Sequence, residues 1–573
     1  MKRITTLLLT LAVASAAMAV PAKRQKVTLT RTDGTTVMAY VMGDEHYHYY
    51  QAVDSNEILY LNAEGHCYAP AQMEIAQRQA VAAQRAESAQ WARTAKSNRK
   101  VQGSNAAPSK ADVDRTIDRT PFDLHGPRKA LLLLVDFYDK PMTWTREDFE
   151  AQVNEVGYQG NTCYGSVHDY FYDQSYEQFD LSFDVVGPIT VSKKASYYGS
   201  NDTYGNDKYP ATMVAEACEQ AYEQGINFAD YDWDGDGEAE MVVCIYSGYG
   251  EAQGAAATTI WPHQWTFTEA QEYGDGPGPI QIGDTYVDRY LVLNELNGTR
   301  GTKLDGIGTF CHEYSHGLGL PDIYNTVGGS TFGMDQWSLM DSGCYNGDGY
   351  HPCAYTAYER MYCGWVEPTE LSSGCVVEGM KSITDEGEAY IIYNEANRNE
   401  YYLLQNIQQT SWNEYAPGHG MLVMHVDYDP TVWENNTVNN DRNRRRCTIV
   451  PADNNTYTSS TGLAGDPYPG TKKNTELTDT SLPAATLFSR NVDNRKFLGK
   501  PIVDIAENFD DDKYNGTISF TFNGGEVVGV QSLSAGDASL SAPHAIYDLY
   551  GHRLPAATLP GIYVIDGQTT IVK

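Results

Sequence analysis

Hydrophobic and polar residues alternate with period two near the start of the chain. Val27-Thr28-Leu29-Thr30 is followed by Asp33-Gly34 and then by Thr36-Val37-Met38-Ala39-Tyr40-Val41. Such alternation predicts half-buried strands, and the Asp-Gly pair between them predicts a hairpin turn. Residues 20 to about 70 therefore read as a small β-unit. The pattern then changes. Residues 72–97 are rich in Ala, Gln and Arg, lack Gly and Pro, and predict a helix. The polar stretch 98–120, with Ser, Asn and Ala-Pro, predicts an exposed linker open to proteases.

A continuous apolar run, Ala130-Leu131-Leu132-Leu133-Leu134-Val135, opens a new domain at about residue 127 and predicts a strand buried on both faces. A helix running into a loop is predicted over 166–176, a helix over 209–224, and strands over 241–246 and 286–293. Another helix enters after Asp305-Gly306, and a further one carries Ala357 to Tyr362 and stops at Gly364. From about 366 onward short strands alternate with turns: 390–393, 400–404, 420–426, 448–450 and 516–522. They predict a sandwich-like β-domain over 366–525 packed on the domain at 127–365, with 526–573 as a separate tail. The fold class is α+β.

Composition narrows the function. The chain has 573 residues, enough for several domains, and a formal net charge of −34. Such a surface repels phosphate backbones and excludes a nucleic-acid partner. Lys2 and Arg3, the apolar run 7–14 and Ala17-Met18-Ala19 form a signal peptide over 1–19, with Val20 as the expected mature start. No later run is long and apolar enough to span a membrane, so a secreted or cell-surface protein is expected. The piece over 20–126 is basic in its helix (Arg78, Arg85, Arg93, Lys96) while the body is acidic. A prosegment lying over a negatively charged cleft fits that contrast. The ten cysteines form no Cys-x-x-Cys pair. Cys344, Cys353, Cys363 and Cys375 cluster, so one or two disulfides are expected there, with buried thiols as the alternative.

The chemistry concentrates in His312-Glu313-Tyr314-Ser315-His316-Gly317-Leu318-Gly319-Leu320-Pro321-Asp322. Two histidines four apart share one helix face and can bind one Zn²⁺ from the same side. Glu313 is placed to act as general base toward a metal-activated water. Gly319 can end the helix in a left-handed conformation, and Pro321 prevents its resumption. Asp322 then arrives as the favoured third zinc ligand, with Glu359 as the alternative. Met340 lies 24 residues after His316, in a tight turn that can floor the metal. Tyr345 just beyond it is a candidate oxyanion stabiliser, or a packing residue. Cys67 is a candidate thiolate latch on the zinc, or an inert buried thiol. A second motif, Asp232-Trp233-Asp234-Gly235-Asp236-Gly237-Glu238-Ala239-Glu240, alternates carboxylates with glycine. Asp232, Asp234, Asp236 and Glu240 can wrap a Ca²⁺, or form a polar turn before the strand at 241–246.

Over most of residues 127–525 the chain resembles the immune inhibitor A-like secreted bacterial metallopeptidases. The resemblance rests on Gly165-Ser166-Val167-His168-Asp169-Tyr170-Phe171 with Gln174-Ser175-Tyr176, on Ile260-Trp261-Pro262-His263, on the zinc motif and on Trp337-Ser338-Leu339-Met340. It continues through Leu404-Gln405-Asn406 and Pro417-Gly418-His419-Gly420-Met421-Leu422-Val423-Met424-His425-Val426-Asp427. It implies a zincin-type catalytic domain of the metzincin kind with Met340 in the Met-turn. It also implies zinc-dependent hydrolysis of protein or peptide substrates, structural calcium and an N-terminal propeptide. Gln405 stands where the family often has Glu. The tail resembles a sorting domain used by Bacteroidota for secretion, which implies a secretion machinery as partner. A different class of function is an inactive surface adhesin or glycan-binding protein on a peptidase scaffold. The intact Glu313 speaks against it.

Overall fold

The computed structural model describes residues 18–80, 120–509 and 515–524, apart from 46, 63, 121, 203–204, 275, 328–332, 386 and 457–459, together with the backbone of five short strands between 531 and 572. The period-two alternation at the start does form strands. Lys26–Thr30, Thr36–Gly43, His48–Ala52, Ile58–Leu61 and Cys67–Tyr68 pair antiparallel in chain order. The Asp33-Gly34 turn closes because Asp33 Oδ1 accepts the Thr35 N–H at 2.9 Å while Gly34 takes φ +84°. The helix expected over 72–97 is seen over 72–80; its remainder and residues 98–119 of the linker lie outside the described residues.

Six strands form the central sheet: β1 (Met18–Ala19), β2 (Gly126–Phe137), β3 (Phe179–Val191), β4 (Val242–Tyr249), β5 (His263–Thr266) and β6 (Arg289–Leu296), in the spatial order β1-β5-β6-β4-β2-β3. β2, β3, β4 and β6 run parallel, which requires cover on both faces. β2 supplies it by alternation. Leu132 and Leu134 enter one apolar core, while Leu131, Leu133 and Val135 enter the other, all at 0% exposure. Each such side chain contributes about 1.5–3 kcal/mol by leaving water. The first core also takes α1 (Arg146–Asn154) and α2 (Val167–Gln174), through Phe149, Val153, Tyr170 and Phe171. The second takes α3 (Pro210–Glu223), through Met213, Val214 and Cys218. α2 starts where it does because Ser166 and Asp169 form a reciprocal capping box. The strand expected at 286–293 is displaced: Thr285–Val287 pairs in a separate small sheet, and β6 begins only at Arg289.

The motif helix α4 (Ile307–Gly317) lies on the first core through Ile307, Phe310 and Tyr314. Its start packs so closely on the turns at 342–349 that a Cβ on Gly308 would fall 1.9 Å from the Cys344 carbonyl oxygen. The short helix α5 (Ala357–Tyr362) follows.

Beyond α5 the β-rich region forms two sheets. Strands at 369–370, 389–394, 397–407, 420–427 and 447–449 make one, and strands at 375–380, 517–522 and 502–508 the other. Tyr390, Leu404, Met421 and Val423 meet Phe520, Phe522 and Ile502 between them. The opposite face of the larger sheet, with Ile391, Leu403, Met424 and Val426, joins the first core. That sheet is therefore buried on both faces, which explains its apolar run at 421–426. The chain is a mixed α+β protein. The expected disulfides are not formed: all ten cysteines are thiols, and Cys344, Cys353 and Cys363 are instead small buried packing residues. Among the described residues no helix is long and apolar enough to cross a membrane.

Candidate metal centre and active site

α4 presents His312 and His316 to one point. Their Nε2 atoms stand 3.0 Å apart, and Asp322 Oδ1 lies 3.3 Å and 3.2 Å from them. Donors held about 2.0–2.1 Å from a tetrahedral zinc stand roughly 3.3 Å from one another, so this triangle has the size zinc needs. The tautomers agree. His312 Nδ1 lies 2.7 Å from the Leu339 carbonyl and His316 Nδ1 2.7 Å from the Leu320 carbonyl. A carbonyl only accepts, so each Nδ1 carries its proton and each Nε2 offers a lone pair. Two lone pairs at that distance cannot bond each other. Asp322 Oδ1, fully buried, also receives no hydrogen bond. Three buried acceptors converging without a donor fit a cation. Burial lowers the His316 pKa and keeps the ring neutral.

Chain geometry after the helix delivers the third acid. Gly319 takes φ +105°, Gly319 N–H donates to the His316 carbonyl, and Leu320 N–H reaches back to the Ser315 carbonyl at 3.1 Å. This is a Schellman closure, which a glycine permits and a side chain resists. Asp322 is then clamped by a residue from the β-rich region. Asn436 accepts the Asp322 N–H at 2.7 Å and donates to Asp322 Oδ2 at 2.6 Å, leaving Oδ1 for the histidines.

A family model describing the immune inhibitor A peptidase M6 catalytic domain matches residues 127–365. That span contains the whole triangle. Residues 127–365 are similar to the catalytic domain of the immune inhibitor A peptidases. Similar curated proteins include the pre-pro-metalloprotease PrtV of Vibrio cholerae serotype O1, 26% identical over 334 residues, covering 47% of this chain and 35% of the relative. Immune inhibitor A of Bacillus thuringiensis subsp. alesti is 27% identical over 276 residues, covering 41% of this chain and 39% of the relative. The chain thus spans little more than a third of the length of these relatives.

In the peptidase domain, Glu359 does not join the metal triangle, which corrects the alternative that it is the third ligand. Its Oε1 accepts Ser338 Oγ–H at 2.7 Å and Met340 N–H at 3.2 Å, and its Oε2 accepts Thr356 N–H and Oγ1–H. The buried carboxylate caps α5 and ties it to the turn carrying Leu339 and Met340. Glu359→Ala is therefore expected to destabilise the fold by about 3 kcal/mol or more, because several buried donors lose their acceptor. Folded protein should still hold one zinc per chain, checked by thermal unfolding beside metal analysis. Met340 is fully buried, and its carbonyl accepts the Ile323 N–H at 2.8 Å, so the turn at Met340 braces the segment after Asp322. Gln405 accepts the Ala357 N–H at 2.6 Å and holds the start of α5.

Asn436 carries no motif and lies far from the histidines in sequence, so nothing local marked it. Asn436→Ala is expected to weaken zinc binding about 10- to 100-fold, the usual cost of losing a ligand's outer partner. Competition with a graded zinc chelator measures it.

Of the four acids proposed for calcium, Asp232, Asp234 and Glu240 bring ligand atoms together. Asp236 lies outside that set and accepts the Glu238 N–H at 3.0 Å, a correction to the expected quartet. Burial pushes Glu240 up to about 7, with the Asp234 and Asp232 charges adding to it. Cys67 sits in the N-terminal sheet opposite Leu61 and is not part of the metal cluster, so it is a buried thiol rather than a latch.

The cleft itself holds residues 18–23. β1 pairs antiparallel with the edge strand β5, Met18 opposite Gln264 and Ala19 opposite His263. Val20, 0% exposed, donates its N–H to Glu313 Oε1 at 2.5 Å. The Trp261 indole N–H donates to the Val20 carbonyl at 3.1 Å, and the Tyr345 hydroxyl to the Pro21 carbonyl at 2.7 Å. Lys23 N–H reaches the Ala252 carbonyl at 3.0 Å, and its Nζ lies 2.7 Å from the Asp348 carboxylate. Burial raises the Glu313 carboxyl well above its ordinary range, with the Glu45 and Asp322 charges adding to the effect and the Val20 N–H opposing it.

Proposed function

We propose that the chain is an exported zinc-dependent endopeptidase that hydrolyses peptide bonds of proteins and is held latent by its own N-terminal unit. The observation that carries this is the triangle of His312, His316 and Asp322 with Glu313 one residue along the same helix. When bound, zinc supplies a Lewis acid that polarises the substrate carbonyl and acidifies a water. Glu313 takes the proton as general base and delivers it to the leaving nitrogen. The Val20 nitrogen, 2.5 Å from Glu313 Oε1, marks where a leaving amine would stand.

Met340 acts in a metzincin-like Met-turn on this reading. Residues 20–126 act as a prosegment, released by cleavage in the linker. Export follows from the signal peptide, and the tail at 526–573 serves a secretion machinery. Asp232, Asp234 and Glu240 hold a structural Ca²⁺. The deciding experiment is casein hydrolysis by purified protein after limited proteolysis of the linker, with and without a zinc chelator. Chelator-sensitive cleavage supports the proposal. Its absence in zinc-loaded, processed protein sinks it and favours a surface-binding role for the scaffold.

A further inference from the structure

Residues 18–23 cross the cleft in one direction only. β1 lies along β5 before the bond to Val20, the Val20 nitrogen stands at Glu313, and the chain then runs past Trp261, Tyr345 and Ala252. A peptide whose scissile nitrogen must meet Glu313 faces the same fixed groups. We propose that Trp261 and Tyr345 form a substrate clamp on the leaving-group side of the scissile bond. The Trp261 indole N–H would hold the carbonyl of the first residue after the bond, and the Tyr345 hydroxyl the carbonyl of the second. This inference rests on the peptidase reading of Glu313 and assigns that site its substrate geometry.

Chemistry at each position sets the preference. Val20 is fully buried within the apolar core that also contains Trp261. A charged side chain there loses its hydration and finds no countercharge from either clamp residue, so a small aliphatic side chain is selected after the scissile bond. The second position is met through its carbonyl, and Pro21, which lacks an N–H, satisfies it. At the fourth position the Ala252 carbonyl takes a backbone N–H, and Asp348 offers a partner to a basic side chain. Asp348 is largely exposed, so that last preference is weak. The substrate is therefore an extended polypeptide with at least four residues beyond the cut.

The Tyr345 contact separates two roles for one hydroxyl. A donor to a ground-state carbonyl lowers KM and leaves kcat nearly unchanged, whereas a donor to the developing oxyanion acts on kcat. The test uses the full chain after linker proteolysis and two quenched fluorescent peptides. One extends four residues past a Val at the cut, and the other ends there as a Val amide. Tyr345→Phe is expected to raise KM about fivefold on the long peptide, the worth of one net hydrogen bond, and to leave the short one unchanged. Trp261→Phe, with its folding checked by thermal melting, is expected to weaken both, because both retain the first carbonyl. Replacing the Val by Asp in the long peptide is expected to lower kcat/KM more than a hundredfold.

A large fall in kcat on both peptides with Tyr345→Phe would overturn the clamp in favour of an oxyanion role. Equal rates for Val and Asp peptides would overturn the apolar subsite. If wild-type protein cleaves neither peptide nor casein in a chelator-sensitive way, the peptidase reading itself has failed.

Discussion

Glu313→Gln is expected to lower kcat/KM for peptide hydrolysis by between about a hundredfold and ten-thousandfold, the usual worth of general acid–base catalysis. The amide keeps the shape of the side chain but cannot take a proton from water or hand one to a leaving amine. Its neighbours make the substitution clean. Glu313 is not part of the triangle formed by His312, His316 and Asp322. The histidines are held through Nδ1 by the Leu339 and Leu320 carbonyls, independently of Glu313. Zinc content should therefore stay at one per chain. Metal analysis beside steady-state kinetics on processed protein checks both halves. A variant that retains zinc and at least a tenth of wild-type activity would remove Glu313 from its assigned role. A variant that loses zinc would point instead to a structural part for Glu313 in the metal site.

The second large effect is activation. The intact chain is expected to be nearly silent toward protein substrates, and cleavage between 98 and 120 with loss of the N-terminal unit to raise activity at least about a hundredfold. The magnitude follows from tethering. A covalently linked occupant presents an effective concentration in the millimolar range, so free substrate competes poorly until the tether is cut. The occupant is also well held: Val20 is buried, and the Val20 and Pro21 carbonyls and the Lys23 N–H are all engaged by the peptidase domain. Timed proteolysis followed by peptide assay and gel analysis tests this. Intact protein as active as the cut form would show that residues 20–23 do not block the cleft in solution.

How much of this was legible beforehand depended on the range of the interaction concerned. The strand at β2, the capped start of α2 at Ser166 and the turn at Asp33-Gly34 all follow from neighbours a few residues apart, and all appear where the pattern put them. The histidine pair and Gly319 are of the same kind, since helix geometry alone aligns positions four apart. Failures arose where one residue type admits several partners. Cysteines clustered in sequence suggested disulfides, yet in the fold they are separate packing residues. Glu359 resembled a ligand because a helical carboxylate some 43 residues after His316 has the right chemistry. Four donors from Ser338, Met340 and Thr356 claim it instead. Asp236 fitted the calcium spacing but accepts the Glu238 N–H, outside the ligand set.

The sequence by itself determined the helix that carries His312, Glu313 and His316, its glycine stop, and the two-faced strand β2. Each depends on local backbone geometry, which residue spacing encodes directly. Only the tertiary structure decided which acid completes the triangle, because that depends on Asn436, 114 residues away, gripping Asp322 and turning one oxygen inward. Only it brought the Leu339 carbonyl to His312 and the start of the chain to Glu313, 293 residues distant. Buried polar groups must find partners wherever the fold brings them, and no periodicity along the chain records that choice.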